Sequence, residues 1–149
     1  MMTERTLAGT HRLTVRRLVN ASPEEVFGLW TDAEALSEFM RPGPTMSKSR
    51  VQVDVRVGGQ FRIDMIGDNQ VWEHQGEYLE VSPPRKLAFT WISKGTNDLP
   101  SMVTVEFHPR GTQTEVVLTH EGLPSEMAVS QHTEGWSAIL KLLANRFQA

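Results

Sequence analysis

The feature that most constrains the fold is a series of β-length segments between residues 50 and 120, each closed by its own turn, followed by one long amphipathic stretch. Val51, Val53, Val55 and Val57 alternate with polar residues up to Gly58-Gly59. Phe61, Ile63 and Met65 alternate onward to Gly67-Asp68-Asn69. Period-two patterning places one set of side chains on one face of a half-buried strand, and these glycine-rich steps supply the backbone angles of tight hairpin turns. Residues 71–81 read as a longer strand stopped by Pro83-Pro84, with Gly76 a candidate bulge. Residues 86–93 come next, with Leu87, Phe89 and Trp91 on one face. Residues 101–108 and 114–120 make a last pair joined through Pro109-Arg110-Gly111-Thr112. Strands joined by turns this short pair antiparallel.

The segment after the last strand decides how the sheet is covered. Residues 121–124, Glu-Gly-Leu-Pro, break the pattern, and Ser125 is placed to cap a helix over residues 125–148. A helix of that size extends about 35 Å at ~1.5 Å per residue, enough to cross a small sheet. Val129, His132, Trp136, Ile139, Leu140, Leu143 and Phe147 fall near one stripe, so its apolar side should lie on the concave face.

Ahead of the meander, residues 1–10 form a polar arm and residues 13–19 read as a first, partly buried strand. Ser22-Pro23-Glu24-Glu25 has the order of a helix start: a hydroxyl cap, proline at the first position, and a glutamate able to close a capping box. Thr31-Asp32 offers a second cap for a short helix through Phe39, and Arg41-Pro42-Gly43-Pro44 stops it. The expected architecture is α+β, one domain over residues 11–149. It has about seven strands in a curved antiparallel sheet, two short helices, and a long C-terminal helix across the concave face.

Charge and composition exclude several function classes. A formal net charge of -3 with scattered Lys and Arg argues against nucleic acid as a partner. No cysteine is present, which removes disulfides, thiolate catalysis and thiolate metal sites and fits a reducing cytoplasm. The N-terminus lacks a signal-peptide core, and no apolar run is long enough for membrane insertion. His11, His74, His108, His120 and His132 sit on separate elements without metal-ligand spacing, and no nucleophile elbow, phosphate loop or His-Glu-x-x-His helix occurs. Neither a catalytic residue, a metal nor a cofactor is therefore assigned.

Strand phase identifies the side chains that face the helix. Phe61 and Met65 lie inward on one hairpin, Phe89 and Trp91 on the next strand, Val103 and Phe107 on the one after. Trp30 comes from the first helix, and Trp136 and Leu140 from the last. Two readings stay open: these residues fill a dry core, or they wall a cavity. His74 shares its phase with Trp72 and Tyr78, and His120 with Val116 and Leu118, so both imidazoles enter the apolar interior and need partners there. His74, Tyr78 and His120 are the candidate polar contacts of a ligand; for His120 the alternative is a packing role, bonded to a backbone carbonyl or to Tyr78. His132 and Trp136, one helical turn apart, either shape a pocket end or anchor the helix, with Gly135 allowing close approach to the sheet.

The order of strand, two short helices, six-strand meander and long helix resembles the helix-grip fold of the START-like (SRPBCC) superfamily. Finer wording is similar to the activator of heat-shock protein 90 ATPase homologue-like family within it: Ala21-Ser22-Pro23-Glu24-Glu25-Val26-Phe27 with Trp30-Thr31-Asp32, Gly58-Gly59-Gln60-Phe61-Arg62, Gly76-Glu77-Tyr78-Leu79-Glu80-Val81, Pro83-Pro84-Arg85-Lys86-Leu87, Thr119-His120-Glu121-Gly122 and His132-Thr133-Glu134-Gly135-Trp136. One departure is that Phe39-Met40-Arg41-Pro42-Gly43 stands where the family often has a tryptophan-phenylalanine-glycine stretch. The resemblance implies a cavity between helix and sheet holding a small hydrophobic or aromatic ligand. The family name implies a second role, protein interaction of the co-chaperone and stress-response kind, and superfamily relatives imply a third, a small cyclase or hydratase.

Overall fold

The structure, a computed structural model, describes residues 6–43 and 45–148. The first five residues of the expected arm, Pro44 of the expected helix stop and Ala149 lie outside the described residues. Seven strands form one antiparallel sheet: β1 (His11–Val19), β2 (Arg50–Val53), β3 (Gln60–Ile66), β4 (Val71–Ser82), β5 (Lys86–Trp91), β6 (Ser101–Arg110) and β7 (Gln113–Leu123). Their order is β1-β7-β6-β5-β4-β3-β2, so the meander is continuous and β1 returns to pair with the last strand. Helices α1 (Pro23–Trp30) and α2 (Ala33–Phe39) come after β1, and α3 (Glu126–Asn145) closes the chain. This is the helix-grip arrangement.

Local chemistry explains the helix boundaries. Ser22 Oγ accepts the Glu25 backbone N–H at 3.2 Å while Glu25 Oε1 accepts the Ser22 N–H at 3.3 Å, which is the reciprocal capping box. Asp32 caps α2 by accepting the Ala35 N–H at 2.9 Å, and Ser125 caps α3 by accepting the Ala128 N–H at 3.1 Å. The sheet-facing side of α3 buries Trp136, Ile139, Leu140 and Leu143 against the core.

Several boundaries differ from the sequence expectation, each for a nonlocal reason. Val55 and Val57 do not extend β2. The chain turns at Asp54, whose N–H donates to the Gln60 carbonyl at 3.1 Å, and a Cβ on Gly59 would lie 1.9 Å from the Asp54 oxygen. Strand β7 does not stop at His120, because β1 offers it a pairing edge as far as Leu123, which is fully buried. Gly76 is not the bulge: the β4–β5 register slips between Tyr78 and Glu80, leaving Leu79 as the extra residue. Gly76 instead allows close approach, since a Cβ there would lie 1.9 Å from the Thr90 oxygen and 2.6 Å from the Phe61 ring. The described part of the arm also packs, with the Ala8 N–H donating to the Pro100 carbonyl at 2.8 Å.

One element has no counterpart in the sequence pattern. After β5, Ser93 caps a short 3-10 helix, Lys94–Thr96, and Asn97 and Asp98 come next with φ of 56° and 59°. These are the left-handed angles that Asn and Asp tolerate better than other non-glycine residues. Thr96 Oγ1 donates within this loop and is fully buried, so the segment is a fixed strap over the end of the sheet.

Candidate functional site

Between α3, the β3–β5 end of the sheet and this strap lies a cavity of about 460 Å³. That volume is within the ~300–1,000 Å³ range of small-molecule pockets. Helix α3 contributes His132, Gly135 and Trp136; the sheet contributes Met65, His74 and Trp91. Pro42 and Met46 close one side, so the segment that departs from the family wording is itself a wall. Arg41 holds that segment, its guanidinium donating to the carbonyls of Glu38 and Met46. Trp72, 42% exposed, lies at the rim with Lys94 and Asp98.

Aromatic rings form the floor. Trp91 meets Trp136 with ring centroids 4.9 Å apart and His74 at 4.7 Å. The Trp91 Nε1–H is buried without an acceptor among the described residues. Trp30 Nε1–H is likewise unpaired, outside the cavity lining.

The two cavity histidines share one electronic state. His74 Nδ1 lies 3.2 Å from the Ile63 carbonyl oxygen and His132 Nδ1 lies 2.7 Å from the Ala128 carbonyl oxygen. A carbonyl only accepts, so in each ring Nδ1 carries the hydrogen. Burial pushes both imidazoles below the ordinary value of 6.5, against the opposing pull of those carbonyls, so both are neutral at pH 7. A neutral ring protonated at Nδ1 presents a lone pair at Nε2. Among the described residues neither Nε2 has a side-chain hydrogen bond; the Trp72 carbonyl also bears on the His74 ring, His132 Nε2 lies against the strap, 3.3 Å from where a Cβ on Gly95 would stand, and both rings line the cavity.

His120 plays a different part. Trp136 Nε1–H donates to His120 Nδ1 at 3.0 Å, and His120 Nε2 lies 2.7 Å from Ser101 Oγ. Ser101 Oγ donates in turn to the Trp91 carbonyl at 2.6 Å. The directions are mutually fixed: the indole can only donate, so Nδ1 accepts, Nε2 carries the hydrogen, and the serine hydroxyl passes its own to Trp91. Burial and the nearby His132 hold His120 well below 6.5, in keeping with a neutral ring. Fully buried, with both nitrogens used and outside the cavity lining, it ties α3 to β5 and β6. Its partners are Ser101 and Trp136, not the expected carbonyl or Tyr78.

Of the residues assigned inward from sequence, Met65, His74, Trp91, His132 and Trp136 reach the cavity. Trp30 and Phe107 do not; they pack edge to face with each other and with Phe39 and Phe27 beneath α1 and α2. Phe61, Tyr78 and Phe89 form a second ring cluster beyond the cavity floor. Burial pushes the Tyr78 phenol up to about 12, so it stays neutral there. Val103 and Leu140 are core residues. Gly135 does not permit close approach to the sheet: a Cβ there meets nothing within 4 Å. Trp72 is visible in the sequence as a phase-mate of His74, whereas Ser93, Lys94, Gly95 and Asp98 come from the unforeseen strap. Among the described residues no group of three or more His, Cys, Asp or Glu could hold a metal ion, and no helix is long and apolar enough to cross a membrane.

Known proteins place this architecture. A protein from Chromobacterium violaceum is similar in structure, with a TM-score of 0.79 at 24% identity, covering 93% of this chain and 99% of that one. One from Mesorhizobium loti gives 0.75 at 21%, covering 93% and 100%. One from Mycobacterium smegmatis gives 0.75 at 20%, covering 94% and 92%. At such identities the likeness shows the fold alone. Comparison with curated proteins gives no match. The family model described as Activator of Hsp90 ATPase homolog 1-like protein matches residues 20–148. That match takes in α1 to α3 and every strand but β1, and the chain belongs to the Activator of Hsp90 ATPase homolog 1-like protein family.

Proposed function

We propose that this chain is a small-molecule binding domain that holds a flat, largely apolar ligand in the cavity between the sheet and α3. The observation that carries this reading is the Trp91–Trp136 pair, 4.9 Å apart, flooring a cavity of about 460 Å³. Large π faces beside a few placed polar atoms are how such pockets gain both affinity and orientation. Binding is non-covalent and needs no cofactor. Neither cavity histidine is oriented by a carboxylate, so no acid–base role is assigned to them. Leu18, Val57, Leu99 and Met127 are exposed on separate segments, and the adjacent exposed pair Val71 and Trp72 belongs to the cavity rim, so no protein partner is assigned.

A panel of aromatic compounds tests this by tryptophan fluorescence and thermal shift. A ligand at one hundred times its Kd stabilises the folded state by ~2.7 kcal/mol. For a chain of this size that raises Tm by about 5–10 °C. Gly135→Leu directs a side chain into the empty space beside the helix and should abolish the shift while the protein stays folded. Equal binding by wild type and Gly135→Leu, or no binding by any compound, would refute the reading.

A further inference from the structure

The polar atoms of the cavity carry more information than its shape. His74 and His132 each commit Nδ1–H to a backbone carbonyl, at 3.2 Å and 2.7 Å. Those carbonyls belong to β3 and to the preceding turn of α3, so neither ring can turn its hydrogen inward without breaking a bond to the framework. Ser93 Oγ accepts the Gly95 N–H at 3.1 Å, which orients the hydroxyl and leaves its own O–H able to donate. The Trp91 indole N–H, a donor in the same wall, is buried and without an acceptor among the described residues. At the rim the lining holds one cation, Lys94, beside the carboxylates of Glu73 and Asp98. The two imidazoles are not in ring contact, yet each lies on the same cavity and His132 acts electrostatically on His74. The two imidazoles thus present fixed acceptors among aromatic walls, beside the Ser93 hydroxyl and the lining amides of Gln70 and Gln131.

Resting on the cavity reading above, we infer that the ligand is a flat aromatic molecule bearing a hydroxyl or N–H group that donates to Nε2 of His74 or His132. A donor satisfies those lone pairs without disturbing either ring. At either Nε2 an ether oxygen or a carboxylate meets lone pair with lone pair, and accommodating it there requires protonating an imidazole that burial keeps neutral. The aromatic body stacks on Trp91 and Trp136, and the donor sets its direction.

Calorimetric titration at pH 7.5 with 2-naphthol, 2-methoxynaphthalene and 2-naphthoate tests this, because the three share a ring system and differ in donating, accepting or charged character. The expected order is naphthol tightest, by roughly tenfold over the ether for one hydrogen bond, and naphthoate weakest. His132→Phe and His74→Phe keep an aromatic ring but remove one acceptor each. At least one of them should erase the preference while leaving the affinity of 2-methoxynaphthalene unchanged. The wild-type series stands on its own if a variant fails to fold. Equal binding of naphthol and its methyl ether, tightest binding of naphthoate, or a preference that survives in both folded variants would overturn the inference while leaving the cavity reading intact. If none of the three binds, the cavity reading fails and this inference with it.

Discussion

Replacing His120 with leucine probes the buried relay on which the cavity wall depends. The substitution keeps similar bulk but removes both ring nitrogens. Trp136 Nε1–H, bonded at 3.0 Å, loses its only acceptor among the described residues, in a buried site. Leaving such a donor unsatisfied costs about 1–3 kcal/mol. Ser101 loses the bond at 2.7 Å but still donates to the Trp91 carbonyl, which adds a smaller loss of ~0.5–1.5 kcal/mol. The expected destabilisation is about 2–4 kcal/mol, or roughly 5–15 °C in Tm for a chain of this length. Urea denaturation at constant m gives the free energy directly. Combining the change with Trp136→Phe isolates the shared bond: removing the indole N–H should cost about 1–3 kcal/mol less in the His120→Leu background than in wild type. Stability within ~0.5 kcal/mol of wild type for His120→Leu, or strict additivity in the double variant, would refute the relay.

Other perturbations test the same framework. Trp136→Ala empties a buried position that packs on Trp91 and anchors α3, and should cost about 3–5 kcal/mol in an equilibrium melt. Gly135→Ala should stabilise by ~0.5–1 kcal/mol, because a Cβ meets nothing within 4 Å and glycine is a poor helix residue; a lower Tm would show that the space is not empty. Stability should also fall with acid. His74, His120 and His132 all titrate below their unfolded value of about 6.5, so below that pH the unfolded chain binds protons that the folded chain refuses. The loss begins near pH 6.5, deepens as pH drops toward the folded-state values, and should be shallower in His120→Leu. A stability curve flat between pH 7 and pH 5 would contradict the neutral assignment of the three rings.

The sheet and its covering helix are legible because their signals are local. Ser22 and Glu25 announce a capping box in four residues, and the alternation from Phe61 to Met65 names its own buried face. The same alternation misleads at Val55 and Val57, where a turn fixed by the Asp54 and Gln60 backbone overrides periodicity. Phase states which face a side chain occupies but not how far along the strand the core is filled. His74 and Tyr78 share a face of β4, yet His74 opens on the cavity and Tyr78 is packed against Phe61 and Phe89. Phase places His120 inside correctly, but its role depends on a tryptophan sixteen residues away on α3. The strap is invisible to pattern because it is held by buried Thr96 and two left-handed residues, neither of which leaves a periodic signal.

The most direct test of the central claim uses methionine methyl groups as position markers. Met46 and Met65 line the cavity, whereas Met127 is 70% exposed on the first turn of α3 and Met40 is buried in the core away from the lining. In a protein labelled with ¹³C at the methionine methyls, titration with 2-naphthol should move the Met46 and Met65 resonances along one saturable curve while Met40 and Met127 stay in place. Movement confined to Met127, or no saturable change at Met46 and Met65, would contradict a ligand site between α3 and the sheet.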